Sequence, residues 1–259
     1  MYKFGLIGYP LGHSMSKAIQ EAAFKSLNLD GCYEILETPE EDLINRIKYL
    51  RANKFNGFNV TIPLKVPVTL FLSEVDNIAD IAGSANTIKI MPDFSLHGYN
   101  TDVYGFTEAI PETFRRKLFN KDAVILGNGG AARAVAVGLS MLKVKKIDFY
   151  VRNIINASET VNVLRRSLPD IEMNCKQIES LKDLSSYKIL VNTTPVGMRG
   201  KAMGISPLDE SVIKTMNKDS AVYDIVYNPL KTELIRLAKK HGIMTIQGLD
   251  MLIYQAVAA

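Results

Sequence analysis

A glycine-rich segment in the middle of the chain most constrains its fold. The run Gly127-Asn128-Gly129-Gly130-Ala131-Ala132 follows an apolar segment at 123–126 and leads directly into an Ala- and Val-rich helical pattern over 130–142. In such a turn the first glycine permits the tight bend, the second lets the backbone approach a pyrophosphate, and a small sixth residue lets the helix pack closely on the strand. The segment therefore predicts a dinucleotide-binding turn. An ordinary glycine-rich strand-to-helix turn is the alternative.

The pattern around this turn is typical of an α/β protein, because short apolar runs alternate with segments of helical periodicity. Before it, strands are predicted at 2–7, 32–37, 56–60 and 85–90, with helices at 15–28, 40–52 and 64–72. After it come a strand at 147–151, a helix at 157–168, strands at 188–192 and 220–225, and a helix at 230–240. Between the two series, Pro111 interrupts a helical pattern over 102–119, and we expect the junction of two domains there.

Charge and cysteine content exclude several classes of protein. The 31 Lys and Arg against 27 Asp and Glu give a net charge of +4, which is too mild for a nucleic-acid groove or a membrane-binding surface. Cys32 and Cys175 are far apart, and the N-terminus shows no signal-peptide pattern, so we expect a cytoplasmic protein without disulfides. His13, His97 and His241 lack paired-ligand spacing, and no metal is expected. His13 is expected in a loop beside the substrate and not as a metal ligand.

The strand after the glycine turn ends at Arg152, about 20 residues downstream, where an NAD-binding fold usually places an acidic residue. A carboxylate would repel a 2′-phosphate, whereas a guanidinium would pair with it. Arg152 therefore favours NADP over NAD. A solvated arginine at a strand end is the alternative.

Three polar clusters in the first half lie where predicted strands end or helices begin. Ser14 and Ser16 present two hydroxyls near a helix start, where they could hold a carboxylate or act as plain helix caps. Lys65 follows the strand that ends in Asn59-Val60-Thr61, at the first turn of the predicted helix, and suits proton exchange, although an exposed lysine is the simpler interpretation. Asn86 and Asp102 supply an amide and a carboxylate for a polyol, but Asp102 could also be a helix cap.

Six motifs in order resemble the shikimate dehydrogenase family along nearly the whole chain. They are Ser14-Met15-Ser16, Asn59-Val60-Thr61 through Lys65, Gly83-Ser84-Ala85-Asn86-Thr87, Gly98-Tyr99-Asn100-Thr101-Asp102, Asn192-Thr193-Thr194-Pro195-Val196-Gly197-Met198, and Gln247-Gly248 through Gln255. The resemblance implies reversible NADPH-dependent reduction of 3-dehydroshikimate to shikimate, a step of aromatic amino-acid precursor synthesis. It also implies a substrate domain over 1–102 plus 242–259 and a Rossmann-type NADP-binding domain over 103–241.

The resemblance further implies roles for individual residues. Lys65 and Asp102 are expected to form the catalytic pair. Six residues are expected to bind substrate: Ser14, Ser16, Thr61, Asn86, Tyr227 and Gln255. Cofactor contacts are expected from the turn Gly127, Asn128, Gly129, Gly130, Ala131 and Ala132, and from Arg152, Asn153, Thr193, Met198, Ile225 and Gly248. Lys17 stands where relatives commonly have proline, and Val151-Arg152-Asn153 keeps the arginine of the cofactor turn while losing an amide and a hydroxyl.

Two other functions remain compatible with the sequence. The same scaffold would accept quinate with small changes around Ser14 and Thr61, so a quinate/shikimate dehydrogenase using NAD or either cofactor is the nearest alternative. A non-catalytic dinucleotide-binding regulatory module is the alternative from another class. Lys65 and Asp102 argue against that module, since a binding protein needs no proton chemistry. No nucleic-acid or membrane partner is expected, and the assembly is expected to be a monomer or homodimer.

Overall fold

The computed structural model describes residues 1–12, 14–200 and 202–259. The chain forms two compact units, one of residues 1–101 with 256–259 and the other of residues 102–255. Each unit is built on a six-stranded sheet, so the α/β class and the Rossmann-type fold predicted from the sequence are confirmed. None of the helices in the described part of the chain is long and apolar enough to cross a membrane.

The first unit contains a mixed sheet with the strand order β2-β1-β3-β5-β6-β4. Its strands are β1 (Tyr2–Gly8), β2 (Gly31–Glu37), β3 (Gly57–Val60), β4 (Glu74–Val75), β5 (Thr87–Ile90) and β6 (Leu96–Tyr99), and its helices are α1 (Ser16–Ser26), α2 (Leu43–Ala52) and α3 (Asn77–Ala82). β1 runs parallel to β2 and β3, whereas β5 is antiparallel to both β3 and β6. The ends of β1, β3 and β6 and the start of β5 therefore share one edge of the sheet.

The second unit contains a parallel sheet with the order β12-β11-β10-β7-β8-β9. Its strands are β7 (Asp122–Leu126), β8 (Lys146–Val151), β9 (Glu172–Gln177), β10 (Tyr187–Asn192), β11 (Ala221–Asp224) and β12 (Met244–Gln247). Counted from β7, the order is 3-2-1-4-5-6, the Rossmann arrangement, in which ligands bind where the order reverses, between β7 and β10. The associated helices are α4 (Thr101–Ala109), α5 (Glu112–Arg115), α6 (Gly130–Met141), α7 (Ile154–Ser167), α8 (Glu210–Ile213), α9 (Glu233–Lys240) and α10 (Gly248–Ala258).

The cores explain why the apolar runs become strands. In the first unit, β1, β3 and β5 bury Ile7, Phe58 and Ile88 together with residues of α2. In the second unit, residues 123–126 of β7 are fully buried, as expected for a central strand covered on both faces. Pro111 separates α4 from α5, so the predicted interruption is confirmed.

Several elements differ from the sequence predictions. The helix predicted at 64–72 is a short 3-10 helix over Pro67–Phe71. β9 was missed because the sequence Glu-Met-Asn-Cys-Lys-Gln is mostly polar, as an edge strand can be. β12 was also missed, and its hydrogen bonds to β11 put residues 244–247 in the second sheet, whereas the predicted boundary assigned 242–259 to the first domain.

Candidate active site

The first site-forming region is the sheet edge where β1, β3 and β6 end. The loops after β1 and β3 touch, since a Cβ added to Gly8 would lie 2.4 Å from Thr61 Cγ2. Tyr9 N–H donates to the Ile62 carbonyl at 2.9 Å, and Ala85 N–H donates to the Lys65 carbonyl at 2.9 Å. These contacts bring Thr61, the Lys65 turn and the residue before Asn86 to one edge.

Asn86 is fixed at this edge by the start of α4. Its Nδ2 donates to Thr101 Oγ1 at 2.9 Å, and its Oδ1 accepts from the Thr101 N–H at 2.8 Å. Asn86 is 2% exposed, so the amide is held in one orientation by its neighbours. A rigid amide of this kind suits recognition of a hydroxyl group.

A second layer of polar groups supports Asn86, and sequence reasoning missed it. Tyr33 donates its hydroxyl proton to Asn59 Oδ1 at 2.8 Å, and Asn59 Nδ2 donates to Thr87 Oγ1 at 3.0 Å and to the Asn86 carbonyl at 3.3 Å. Burial raises the pKa of Tyr33, which keeps it a neutral donor. The motif Asn59-Val60-Thr61 was the one sequence signal for this layer.

The predicted position of Lys65 at a helix start is wrong. The residue lies in a turn between β3 and the 3-10 helix, and not in the first turn of an α-helix. Its side chain is half-buried. Asp102 is buried, with 4% exposure, in the first turn of α4. Because α4 begins at Thr101, Asp102 is not the residue preceding the helix, as a simple cap would be.

The serine loop lies at the start of α1. Ser14 Oγ accepts a hydrogen bond from the Ser16 N–H at 3.2 Å, and Ser16 is the first residue of the helix. Met15 occupies the cap position and makes no side-chain cap bond. Lys17 forms an ion pair with Glu21 at 3.5 Å along the same helix. His13 lies outside the described residues.

The glycine turn of the second unit has the geometry that its sequence predicts. Gly127 has φ +101° and its N–H donates to the Tyr150 carbonyl of β8 at 3.0 Å. A Cβ at Gly127 would lie 2.9 Å from Thr193 Oγ1, so only glycine fits this conformation without strain. Ala132 is fully buried in α6, which confirms the predicted close packing of the helix.

Gly129 differs from Gly127 in a way that points to a ligand. Its φ of −77° is open to any residue, and a Cβ added there would meet no atom within 4 Å. No packing in the described structure therefore requires glycine, yet the open space lies at the N-terminus of α6, whose first N–H groups favour an anion. The turn consequently fits a pyrophosphate group.

Arg152 and Asn153 follow β8 on the side of the sheet adjacent to the glycine turn. Arg152 is exposed, and its carbonyl accepts from Gln177 Nε2 at 3.3 Å. Asn153 caps α7, because its Oδ1 accepts from the Asn156 N–H at 3.1 Å. This cap moves the start of α7 to Ile154, three residues before the predicted start, and it occupies the Asn153 carboxamide oxygen.

The remaining candidate residues lie on loops after β10, β11 and β12. Thr193 follows β10, and its Oγ1 donates to the Leu126 carbonyl at the end of β7 at 2.6 Å. Gly248 starts α10 against β11, since a Cβ there would lie 2.1 Å from the Ile225 carbonyl oxygen. Thr193 therefore borders the turn that begins at Gly127, and Ile225 borders the start of α10. Tyr227 and Met198 are half-buried on the same loops.

Gln255 lies near the end of α10. Its Nε2 donates to the Leu252 carbonyl of the same helix at 2.8 Å. α4 packs closely there, because a Cβ at Gly105 would lie 2.8 Å from Gln255 Cβ.

The histidines make no metal site in the described part of the chain. His97 Nδ1 lies 3.3 Å from a Glu74 carboxylate oxygen, and His241 Nε2 lies 2.8 Å from Glu210 Oε1. Within residues 1–12, 14–200 and 202–259, no group of three or more His, Cys, Asp and Glu side chains is arranged to hold a metal ion.

Comparison with known proteins identifies the family. A shikimate dehydrogenase (NADP(+)) of Bacillus cereus is 35% identical over 256 residues, which cover 99% of this chain and 90% of the relative. The chain belongs to the shikimate dehydrogenase family. The family model "Shikimate dehydrogenase substrate binding domain" matches residues 6–88, which lie within the first unit.

Solved structures of this shikimate dehydrogenase family have the same fold. Shikimate 5-dehydrogenase from Thermus thermophilus, in complex with NADP(H) and shikimate, has a TM-score of 0.82 at 33% identity and covers 100% of this chain and 91% of that chain. Quinate dehydrogenase from Corynebacterium glutamicum, in complex with NAD, has a TM-score of 0.87 at 29% identity, with 100% and 92% covered.

Proposed function

We propose that this chain catalyses the reversible NADPH-dependent reduction of 3-dehydroshikimate to shikimate, a step in the synthesis of aromatic amino-acid precursors. The observation that carries the proposal is the Lys65 turn, which is hydrogen-bonded to Ala85 beside the fixed amide of Asn86. This arrangement would supply a proton donor and a hydroxyl-binding group at one sheet edge, and the activity of the family supports the reaction.

Individual residues are proposed to bind and protonate the substrate. Ser14 and Ser16, assisted by Tyr227, would hold its carboxylate. Thr61, Asn86, Asp102 and Gln255 would contact ring hydroxyls. During reduction the Lys65 ammonium would stabilise the negative charge that grows on the carbonyl oxygen and donate a proton to it, and Asp102 would orient the lysine. The lysine would take the proton back during oxidation.

The second unit is proposed to bind the cofactor, whose reduced form, NADPH, would supply the hydride for reduction. The turn from Gly127 to Ala132 would hold the pyrophosphate at the start of α6. Arg152 would pair with the 2′-phosphate, next to Asn153. Thr193, Met198, Ile225 and Gly248 would border the nicotinamide, where Met198 would keep water away from the path of the hydride.

Substitution of Lys65 tests the chemistry. Lys65→Ala should lower kcat by about 10²–10⁴-fold with a smaller change in KM, because a positioned acid–base group typically contributes that much. Lys48→Ala is the matched control, since Lys48 is an exposed lysine on α2. Equal activity of the two variants would contradict the role of Lys65.

Substrate and cofactor choice are tested together by measuring the oxidation of shikimate and of quinate with NADP and with NAD. Shikimate with NADP should give the highest kcat/KM of the four combinations. Faster oxidation of quinate with NAD would contradict both the substrate assignment and the role of Arg152. Zero turnover with all four combinations at saturation would favour a regulatory module.

We also propose that the enzyme works in the cytoplasm as a monomer or homodimer. Both cysteines, Cys32 and Cys175, are free thiols, which fits a reducing compartment. Size-exclusion chromatography with light scattering would give the assembly state.

A further inference from the structure

A buried carboxylate joins the two loops that follow β10 and β11. Asp224, the last residue of β11, is 0% exposed. Its register partner is Asn192, the last residue of β10, and Asn192 Nδ2 donates to Asp224 Oδ1 at 2.9 Å. The two side chains therefore connect the ends of neighbouring strands at the point where both loops begin.

Two further donors converge on the same carboxylate. The Val226 N–H donates to Oδ1 at 3.1 Å, and Thr232 Oγ1 donates to Oδ2 at 2.6 Å. Thr232 also caps α9, because its Oγ1 accepts from the Ile235 N–H at 3.3 Å. An ionised carboxylate can accept from all three donors, whereas the Nδ2 of an asparagine would present its own hydrogens to one of them.

On the β10 side the network continues into the next loop. Asn192 Oδ1 accepts from Thr194 Oγ1 at 2.7 Å and from the Thr194 N–H at 3.1 Å. The two loops are also joined directly, since the Arg199 N–H donates to the Asn228 carbonyl at 2.8 Å. A displacement at Asp224 would therefore be passed to residues 193–198 on one side and to residues 225–229 on the other.

We infer that Asp224 is a positioning residue for the reaction, whose carboxylate sets the loop 193–198 and the loop 225–229 in fixed relation to each other. The inference rests on the proposed function, which places Thr193 and Met198 on the first loop and Ile225 and Tyr227 on the second. Asp224 acts through these residues, and its carboxyl is fully occupied by Asn192, Val226 and Thr232.

The cost of keeping this carboxylate supports a functional role. Burial raises the pKa of Asp224 to about 6, although hydrogen bonds from Thr232, Val226 and Asn192 lower it. The folded protein therefore holds an incompletely compensated charge in its interior at neutral pH. Groups with such perturbed pKa values concentrate at functional sites, where stability is given up for activity.

The test uses a double-mutant cycle on the full-length chain, with shikimate and NADP as substrates. Asp224→Asn and Asn192→Ala should each lower kcat by at least about 10-fold, because small displacements of positioning groups cost up to about 10²-fold, while KM for shikimate changes by less than about 3-fold. The double variant should be about as active as the worse single variant, since both residues act through one network.

Asp148→Asn is the matched control. Asp148 is also 0% exposed and lies on β8 of the same sheet, where Lys176 Nζ donates to it at 2.8 Å and Asn174 Nδ2 at 3.0 Å. It contacts neither loop. Its variant should keep kcat within about 2-fold of the parent, with activity expressed per folded protein measured by thermal unfolding.

The outcomes separate the inference from the proposed function. A parent chain without turnover would refute the proposed function, and the inference with it. An active parent with an equally active, folded Asp224→Asn variant would refute the inference alone. If that variant does not fold, Asn192→Ala decides, and unchanged kcat there would also refute it. Losses that multiply in the double variant would show two independent roles and overturn the shared network.

Discussion

The buried carboxyl of Asp224 should contribute a component of the free energy of unfolding that falls as pH rises through the acid range. Its pKa is raised by burial from 3.8 to about 6 in the folded state. Below about pH 3 the group is largely protonated in both states, and its neutral form is the one that the folded interior favours. As pH rises, the unfolded chain ionises first, so folding becomes less favourable until the folded carboxyl has also ionised.

The size of the effect follows from the difference between the two pKa values. At about 1.4 kcal/mol for each pKa unit, the full loss is about 3 kcal/mol. Between pH 4.5 and 7.5 the expected loss is about 2 kcal/mol, because the unfolded carboxyl is already mostly ionised at pH 4.5. An asparagine at position 224 does not titrate, so the Asp224→Asn variant lacks this pH-dependent component of the free energy of unfolding. Any other effect of the substitution on stability is the same at every pH.

The assay is urea unfolding followed by circular dichroism, for the parent and Asp224→Asn, at several pH values and constant ionic strength. The free energy of unfolding of the parent minus that of the variant should decrease by about 2 kcal/mol from pH 4.5 to pH 7.5. Other titrating groups cancel in this difference. A difference that stays constant, or that increases with pH, would refute the conclusion that burial dominates the ionisation of Asp224.

Three further substitutions test other parts of the structure. Gly129→Ala should leave the melting temperature unchanged but raise KM for NADP at least about 10-fold. The added methyl group would enter the space assigned to the pyrophosphate. Unaltered cofactor binding would contradict that assignment. Arg152→Ala should lower kcat/KM for NADP by about 10–100-fold and leave that for NAD nearly unchanged, and equal losses with both cofactors would exclude a contact with the 2′-phosphate. Asp148→Asn should lose about 2 kcal/mol at pH 7, less at acid pH, in urea unfolding. Burial raises the pKa of Asp148, but hydrogen bonds from Lys176, Tyr187 and Asn174 outweigh burial, so the pKa is lowered. The stabilisation by the Asp148 carboxylate is therefore present above the pKa of the unfolded chain and is lost as pH falls. A variant more stable than the parent would contradict this.

The sequence by itself determined the features that depend on local chemistry. The glycine turn was predictable because Gly127 alone permits its positive φ, and the buried strand before it is a continuous apolar run. The interruption at Pro111 follows from the geometry of proline. The apolar runs predicted the strands, and the strands placed three site residues near strand ends: Thr61, Lys65 and Asn86. These residues lie near one another because the strand ends share one edge of the sheet.

Only the tertiary structure decided the features that depend on distant pairing. β9 and β12 are strands because neighbouring strands satisfy their backbone groups, although their own sequences are weak signals. The segment at Lys65 forms a turn followed by a 3-10 helix and not the predicted α-helix. The carboxylate of Asp224 meets Asn192 only because β10 and β11 are adjacent in register, and no local pattern encodes a contact between residues 32 positions apart.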